Sequence, residues 1–239
     1  MKFSDEDAFD KIYEKGIWGN GTSESPSSGT GSNPSAAIPY VDFIRANIRN
    51  LEIKSVLDLG HGDWAMWENY KFEDTSYLGV DVVQTLSTRN TEKYGSRNVE
   101  FRHVDIGECL PKSQLLICKD VLQHLSNVEI CRILSQLCKY QYVIFCNDIE
   151  LNQNAFKVFR FKLQLSERFK RFKNLLSPFY RVKYPFNNSE IQIGGYRGID
   201  LEDPLFLAYF SDFVLEKKFD FTSPYFGGTT KRVYFWRRY

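Results

Sequence analysis

Residues 54–63 read KSVLDLGHGD, an apolar run that ends in a glycine turn at Gly60 and Gly62. Glycine at both places lets the backbone approach a ligand with no Cβ in the way. Asp81 closes a second apolar run, YLGVD, where a carboxylate accepts hydrogen bonds from ribose hydroxyls. Together they suit nucleoside binding. Further along, Asp120 and His124 lie in KDVLQHL, and Asn147 and Asp148 end the run VIFCND. An imidazole flanked by carboxylates can take the proton of a weak nucleophile such as a hydroxyl. His124 is therefore the candidate general base, with Asp148 or Asp120 to orient it. The oxygens of Asp120, Asn147 and Asp148 also suit Mg²⁺. The acid–base reading is preferred, and no metal ligand is assigned.

These residues need strand ends to hold them. Apolar runs predict strands at 54–59, 77–81, 99–104, 115–119 and 142–147, with helical stretches between, the clearest at 126–139. Such alternation predicts a parallel sheet covered on both faces. Two closing runs, 213–221 and 230–238, joined by TSPYFGGT, predict an antiparallel hairpin. The fold class expected is α/β, a Rossmann-like doubly wound sheet, mostly parallel, with seven strands. Amphipathic helices are predicted over 5–18 and 35–50. Between them lies GNGTSESPSSGTGSNPS, a linker by composition, or a lid whose amides and hydroxyls close over a polar ligand.

Composition narrows the class. The 239 residues suffice for a single domain: an N-terminal helix and lid (1–50), a core (51–150), an insertion (151–200) and the hairpin (201–239). A net charge of +1 gives no global attraction to nucleic acid or membrane. Aromatics reach 16%, which suits flat or sugar-like ligands as well as a large core. The five cysteines show no metal or disulfide spacing. The N-terminus MKFSDEDAFD is no signal peptide, so a cytoplasmic location is expected, host cytoplasm if the chain is viral. The NGT and NNS sequons are then chance. Residues 151–186 hold nine Lys or Arg and one acid, Glu167, interleaved with Phe and Leu. That pattern suits a capping helix, an acceptor platform or a docking face.

Four of these segments, in order, resemble the motifs of class I S-adenosylmethionine (SAM)-dependent methyltransferases: SVLDLGHGDW, YLGVD, FRHVDI and LLICKDVLQHLS. The resemblance covers about residues 52–148 and the hairpin. GHGDWA also fits a dinucleotide fingerprint through Ala65, but a dehydrogenase needs none of Asp105, DVLQHL or the hairpin. The resemblance implies that Gly60 and Gly62 reach the methionine part of SAM and that Asp58 faces its ammonium. It implies Asp81 on the ribose, Asp105 and Ile106 at the adenine, and Lys119 contributing mainly backbone. By their positions alone, Asp58 also suits a turn-stabilising role and Asp105 an N-cap.

IYEKGIWGNG and GGYRGIDL resemble small microbial and viral sugar O-methyltransferases, such as the methyltransferase domain of chlorovirus capsid-glycan glycosyltransferase proteins. That resemblance implies a lid of Trp18, Ser28, Gly29, Gly31 and Ser32 over the cofactor, and a rhamnose-type glycan acceptor. Tyr196, Arg197 and Glu190 are the candidate acceptor-binding residues. The alternatives are an RNA- or protein-directed methyltransferase that docks through the basic insertion, and a degenerate cofactor-binding module.

Overall fold

The computed structural model describes residues 5–22, 26–105, 108–151, 186–222 and 229–239. Ile106 and nearly all of the basic stretch expected over 151–186 lie outside them.

The described residues build one seven-stranded sheet in the order β3-β2-β1-β4-β5-β7-β6. Its strands are β1 (Ser55–Leu59), β2 (Ser76–Asp81), β3 (Val99–His103), β4 (Leu115–Lys119), β5 (Tyr142–Ile149), β6 (Phe213–Thr222) and β7 (Thr230–Arg238). The first five pair in parallel, and β7 lies antiparallel between β5 and β6. The central runs VLDL, LLICK and YVIFCNDI are buried along their length, which is why each reads as unbroken apolar sequence.

Each face has its own core. On one, Leu57, Leu59, Leu116, Cys118 and Val143 meet α1 (Asp5–Glu14) through Phe9 and Ile12, α3 (Gln84–Tyr94) through Leu86, and α4 (Asn127–Leu134) through Ile130 and Ile133. On the other, Val56, Ile117, Ile144, Val233 and Phe235 meet α2 (Pro34–Asn50) through Tyr40, Ile44 and Ile48. Asn33 starts α2: its Oδ1 accepts the Ser35 amide at 2.9 Å, and Pro34 supplies a preset first helical residue.

Three helical expectations shorten. The first helix stops at Glu14, before a turn through Gly16. The 126–139 pattern divides into α4 and a 3-10 turn at Leu137–Lys139. No helix covers β1–β2; there is a 3-10 turn at Ala65–Trp67, entered through Trp64 at φ 62°. Trp64, Trp67, Phe72 and Tyr77 pack ring on ring there and bury the sheet face that a helix would otherwise cover.

Candidate functional site

The strand order reverses between β1 and β4, so their connections leave in opposite directions and open a crevice at the carboxyl ends. A cavity of 370 Å³ lies there, within the ~300–1,000 Å³ usual for small-ligand sites. Its wall brings together Trp18, Ser28, Gly29, Ser32, Gly60, Gly62, Asp81, Lys119, Asp120, His124, Asp148 and Tyr196.

The glycine turn forms as its sequence implies. Gly60 and Gly62 have φ of 77° and 55°, the left-handed region that favours glycine. A Cβ on Gly60 would strike Val121, and one on Gly62 would strike Ser28. Asp81 accepts the Gly62 amide at 3.0 Å on Oδ2 and the Val83 amide at 3.0 Å on Oδ1. The carboxylate is thus held by backbone at the cavity wall, with lone pairs left for a ligand. His61 braces the turn through Ser87 Oγ at 3.1 Å and the Gly62 carbonyl at 2.8 Å.

The lid is folded onto this turn. Ser28 Oγ accepts the Asp63 amide at 2.6 Å and bonds the Tyr13 hydroxyl at 2.9 Å. Asp63 Oδ2 in return accepts the Ser28 amide at 2.9 Å and Ser27 Oγ at 3.1 Å. Trp18 rests on His124, ring centres 4.6 Å apart. Thr30 Oγ1 is buried at the cavity wall without a protein partner, a donor and acceptor free for a ligand.

At the ends of β4, β5 and β7 four charges meet. The register pairs Lys231 with Asp148, and Lys231 Nζ reaches Asp148 Oδ1 at 2.8 Å and Asp120 Oδ1 at 2.6 Å. Lys119 Nζ donates to Asp120 Oδ2 and, at 2.8 Å, to the lid carbonyl of Gly31. The Tyr196 hydroxyl donates to Asp148 Oδ2. Burial opposes the charge on Lys231, but Asp120 and Asp148 outweigh it and hold the ammonium pKa above its ordinary value. Burial likewise opposes ionisation of Asp120, and Lys119 and Lys231 outweigh it in turn.

His124 lies within reach of these charges but is hydrogen-bonded elsewhere. Its Nδ1 donates to the Gly195 carbonyl at 2.7 Å, since a carbonyl can only accept. Nε2 is then the unprotonated nitrogen of a neutral ring that lines the cavity. Burial lowers the His124 pKa, with the Gly195 bond and Asp120 opposing.

Several expectations change. Neither Asp148 nor Asp120 orients His124; both are held by lysines, and the Gly195 backbone does the orienting. Lys119 contributes its side chain, not only backbone. Asp58 is off the cavity wall: its Oδ2 accepts the Tyr77 hydroxyl at 2.5 Å and Trp67 Nε1 at 3.1 Å, and burial pushes its pKa up to about 6. It braces the β1–β2 connection. Arg197, fully buried, is also off the wall; it donates to the Leu122 carbonyl at 2.6 Å and to Asn127 Oδ1 at 3.1 Å. Glu190 is exposed and accepts the Asn127 amide at 3.2 Å. Both tie residues 190–197 to the start of α4. Asp105 is exposed and off the wall, where its neighbour Val104 lies instead. The three proposed metal ligands are not gathered either. Strand alternation sends Asn147 to the face opposite Asp148, and the Lys231 ammonium stands between Asp120 and Asp148.

Sequence reasoning overlooked Tyr13, Asp63 and Lys231, and also Gln123, which lines the cavity and whose Oε1 accepts the Asp148 amide at 2.9 Å. Lys231 was readable in principle: it shares the inward phase of β7 with Val233 and Phe235, where a lysine is out of place.

No family model matches the chain, and no curated protein matches it. Among solved structures, magnesium protoporphyrin IX methyltransferase of Synechocystis PCC 6803, with bound S-adenosylhomocysteine (SAH), superposes with a TM-score of 0.60 at 14% identity, over 98% of this chain and 94% of that one. NodS, an N-methyltransferase of Bradyrhizobium japonicum in complex with SAH, gives 0.54 at 9% identity, over 84% and 86%. The mitomycin 7-O-methyltransferase MmcR gives 0.56 at 14% identity, over 90% of this chain and 56% of that one. The chain therefore has the fold of the class I SAM-dependent methyltransferases, a fold that serves both oxygen and nitrogen acceptors.

Proposed function

We propose that this protein is a SAM-dependent O-methyltransferase whose acceptor is a sugar hydroxyl of a glycan, of the rhamnose type. The observation that carries the reading is His124. It lines the cavity as a neutral imidazole with Nε2 unprotonated, one loop away from the glycine turn and Asp81. A hydroxyl needs such a base, whereas a neutral amine carries its own nucleophilic lone pair.

SAM, when bound, supplies a methyl group on a sulfonium. Asp81 would accept the ribose hydroxyls, and the Gly60–Gly62 turn would admit the methionine part against bare backbone. Thr30 Oγ1 is a further polar contact. Trp18 and Tyr196, both next to His124 and both on the cavity wall, would offer ring faces to the C–H face of a sugar. With SAM and an acceptor bound, His124 Nε2 would take the hydroxyl proton as the acceptor oxygen gains the methyl group and SAH leaves. The lid excludes water, a competing nucleophile. Lys231 already supplies the positive charge between Asp120 and Asp148, so the mechanism has no step that calls for a metal there.

Incubation with SAM and a panel of oligosaccharides, read by mass spectrometry, tests the proposal. A gain of one methyl group on a rhamnose-type glycan, with release of SAH, is expected. Methylation of RNA or protein by the same preparation, with no glycan product, would replace the sugar acceptor with the alternative reading.

A further inference from the structure

The four charges beside the cavity are joined at both ends to segments that must meet around a ligand. Lys231 Nζ touches Asp148, whose other oxygen accepts the Tyr196 hydroxyl on the acceptor side. It also touches Asp120, whose other oxygen accepts Lys119, and Lys119 holds the Gly31 carbonyl of the lid. The lid and the 194–197 loop therefore share one ammonium. Lys231 is 4% exposed, so while its side chain is present solvent cations are kept from the two carboxylates. Gly31 is fitted to the arrangement: its backbone is outside the left-handed region, yet a Cβ there would come 2.7 Å from Asp120 Oδ2.

We infer that Lys231 is a positioning residue that couples closure of the lid to the placement of Tyr196 on the acceptor wall. It lines the cavity, and it reaches the lid anchor and Tyr196 through Asp120 and Asp148. With the ammonium in place, each carboxylate gives one oxygen to Lys231 and the other to an anchor, Asp120 to Lys119 and Asp148 to Tyr196. Without it they repel, and both anchors loosen together. The inference deepens the methyltransferase reading but rests on contacts within the chain.

Hydrogen–deuterium exchange on the full chain tests it without an acceptor. In Lys231→Ala, exchange should rise by on the order of tenfold at two separate places, the lid amide of Ser32 and the loop amides of Gly194 and Arg197. Ethylammonium, which can donate hydrogen bonds into the vacated space, should restore both; tetramethylammonium, with equal charge and no N–H, should restore neither. A rise confined to β6 and β7, or no rescue by ethylammonium, overturns the inference. If Lys231→Ala does not fold, Gly31→Ala decides. This change lies in the lid, outside the hydrophobic core, and should loosen the Gly194 and Arg197 amides as well as its own neighbourhood. Unchanged exchange at 194–197 overturns the coupling. SAH affinity measured by calorimetry serves as the second readout and should fall in either variant. If the unmodified protein does not bind SAH, the methyltransferase reading fails while the exchange result still stands or falls by itself.

Discussion

The two sides of the cavity are assembled across very different chain distances. On the cofactor side, Asp81 accepts the Val83 amide 2 positions away and the Gly62 amide 19 positions away. Both donors are backbone groups in consecutive elements. On the side proposed for the acceptor, Lys231 reaches Asp148 across 83 positions and Asp120 across 111, and every one of these groups is a side chain. The first side is a motif in the strict sense, written in neighbouring residues. The second exists only once β7 has inserted between β5 and β6. A backbone site keeps its shape through most substitutions, whereas a buried charge cluster depends on every member.

Breaking one side at a time sharpens this contrast. The largest effect is expected on turnover. His124→Ala should lower it by about 10²–10⁴-fold, the usual worth of a general base, while SAH affinity measured by calorimetry stays within about threefold. Equal loss of both would make His124 a wall residue only. Asp81→Ala should do the reverse on the other side and weaken SAH binding by about 10–100-fold, the scale of charged hydrogen bonds. Unchanged SAH affinity would remove Asp81 from the ribose site.

The pH profile separates the two sides further. Burial lowers the His124 pKa, so its neutral form is the majority above the ordinary value of 6.5 and persists somewhat below it. The rate should therefore be level above about pH 6.5 and fall only on acidification, at a lower pH than for an ordinary histidine. Stability follows the same sign: as pH drops through 6.5 the unfolded chain takes up a proton that the folded His124 resists, so the folded state loses ground. A rate that keeps climbing above pH 8 would exclude His124 as the titrating base.

Smaller effects are expected at the supports. Asp63→Ala removes the acceptor of the Ser27 and Ser28 donors and should cost about 1–3 kcal/mol of lid closure, seen as faster proteolysis within residues 26–33. Asp58→Asn should change turnover least, since Asp58 is off the cavity wall, and should act on stability instead. The folded Asp58 titrates near 6 against an ordinary 3.8, so its ionisation opposes folding as pH rises through that window and the deficit persists above it. The amide keeps an acceptor for Tyr77 or Trp67 and carries no charge. Urea unfolding should show the variant gaining on the parent between pH 4 and pH 8, by about 2–3 kcal/mol. A variant that loses stability equally at both pH values would make Asp58 a pure hydrogen-bond acceptor.

Legibility in the sequence tracks these chain distances. The three central strands were readable because a strand buried on both faces is a continuous apolar run, and VLDL, LLICK and YVIFCND are such runs. Gly60, Gly62 and Asp81 were readable because their partners are near in sequence. The missing helix between β1 and β2 was not, since Trp64, Trp67 and Phe72 look equally apolar in a helix or in a ring cluster. Arg197 and Glu190 were placed on the acceptor wall by proximity to the Gly-rich GGYRG. In the fold the buried Arg197 instead satisfies the Leu122 carbonyl and Asn127 Oδ1, and the exposed Glu190 accepts the Asn127 amide at the start of α4.

The sequence by itself determined the element order, the glycine turn and the carboxylate after β2, all consequences of local backbone geometry and strand burial. The tertiary structure alone decided that His124 is oriented by a backbone carbonyl, that Asp120 and Asp148 belong to Lys231, and that the lid is tied to the same charges. Those outcomes depend on which side chains a sheet register brings face to face, and no spacing along the chain encodes a pairing made across 111 residues.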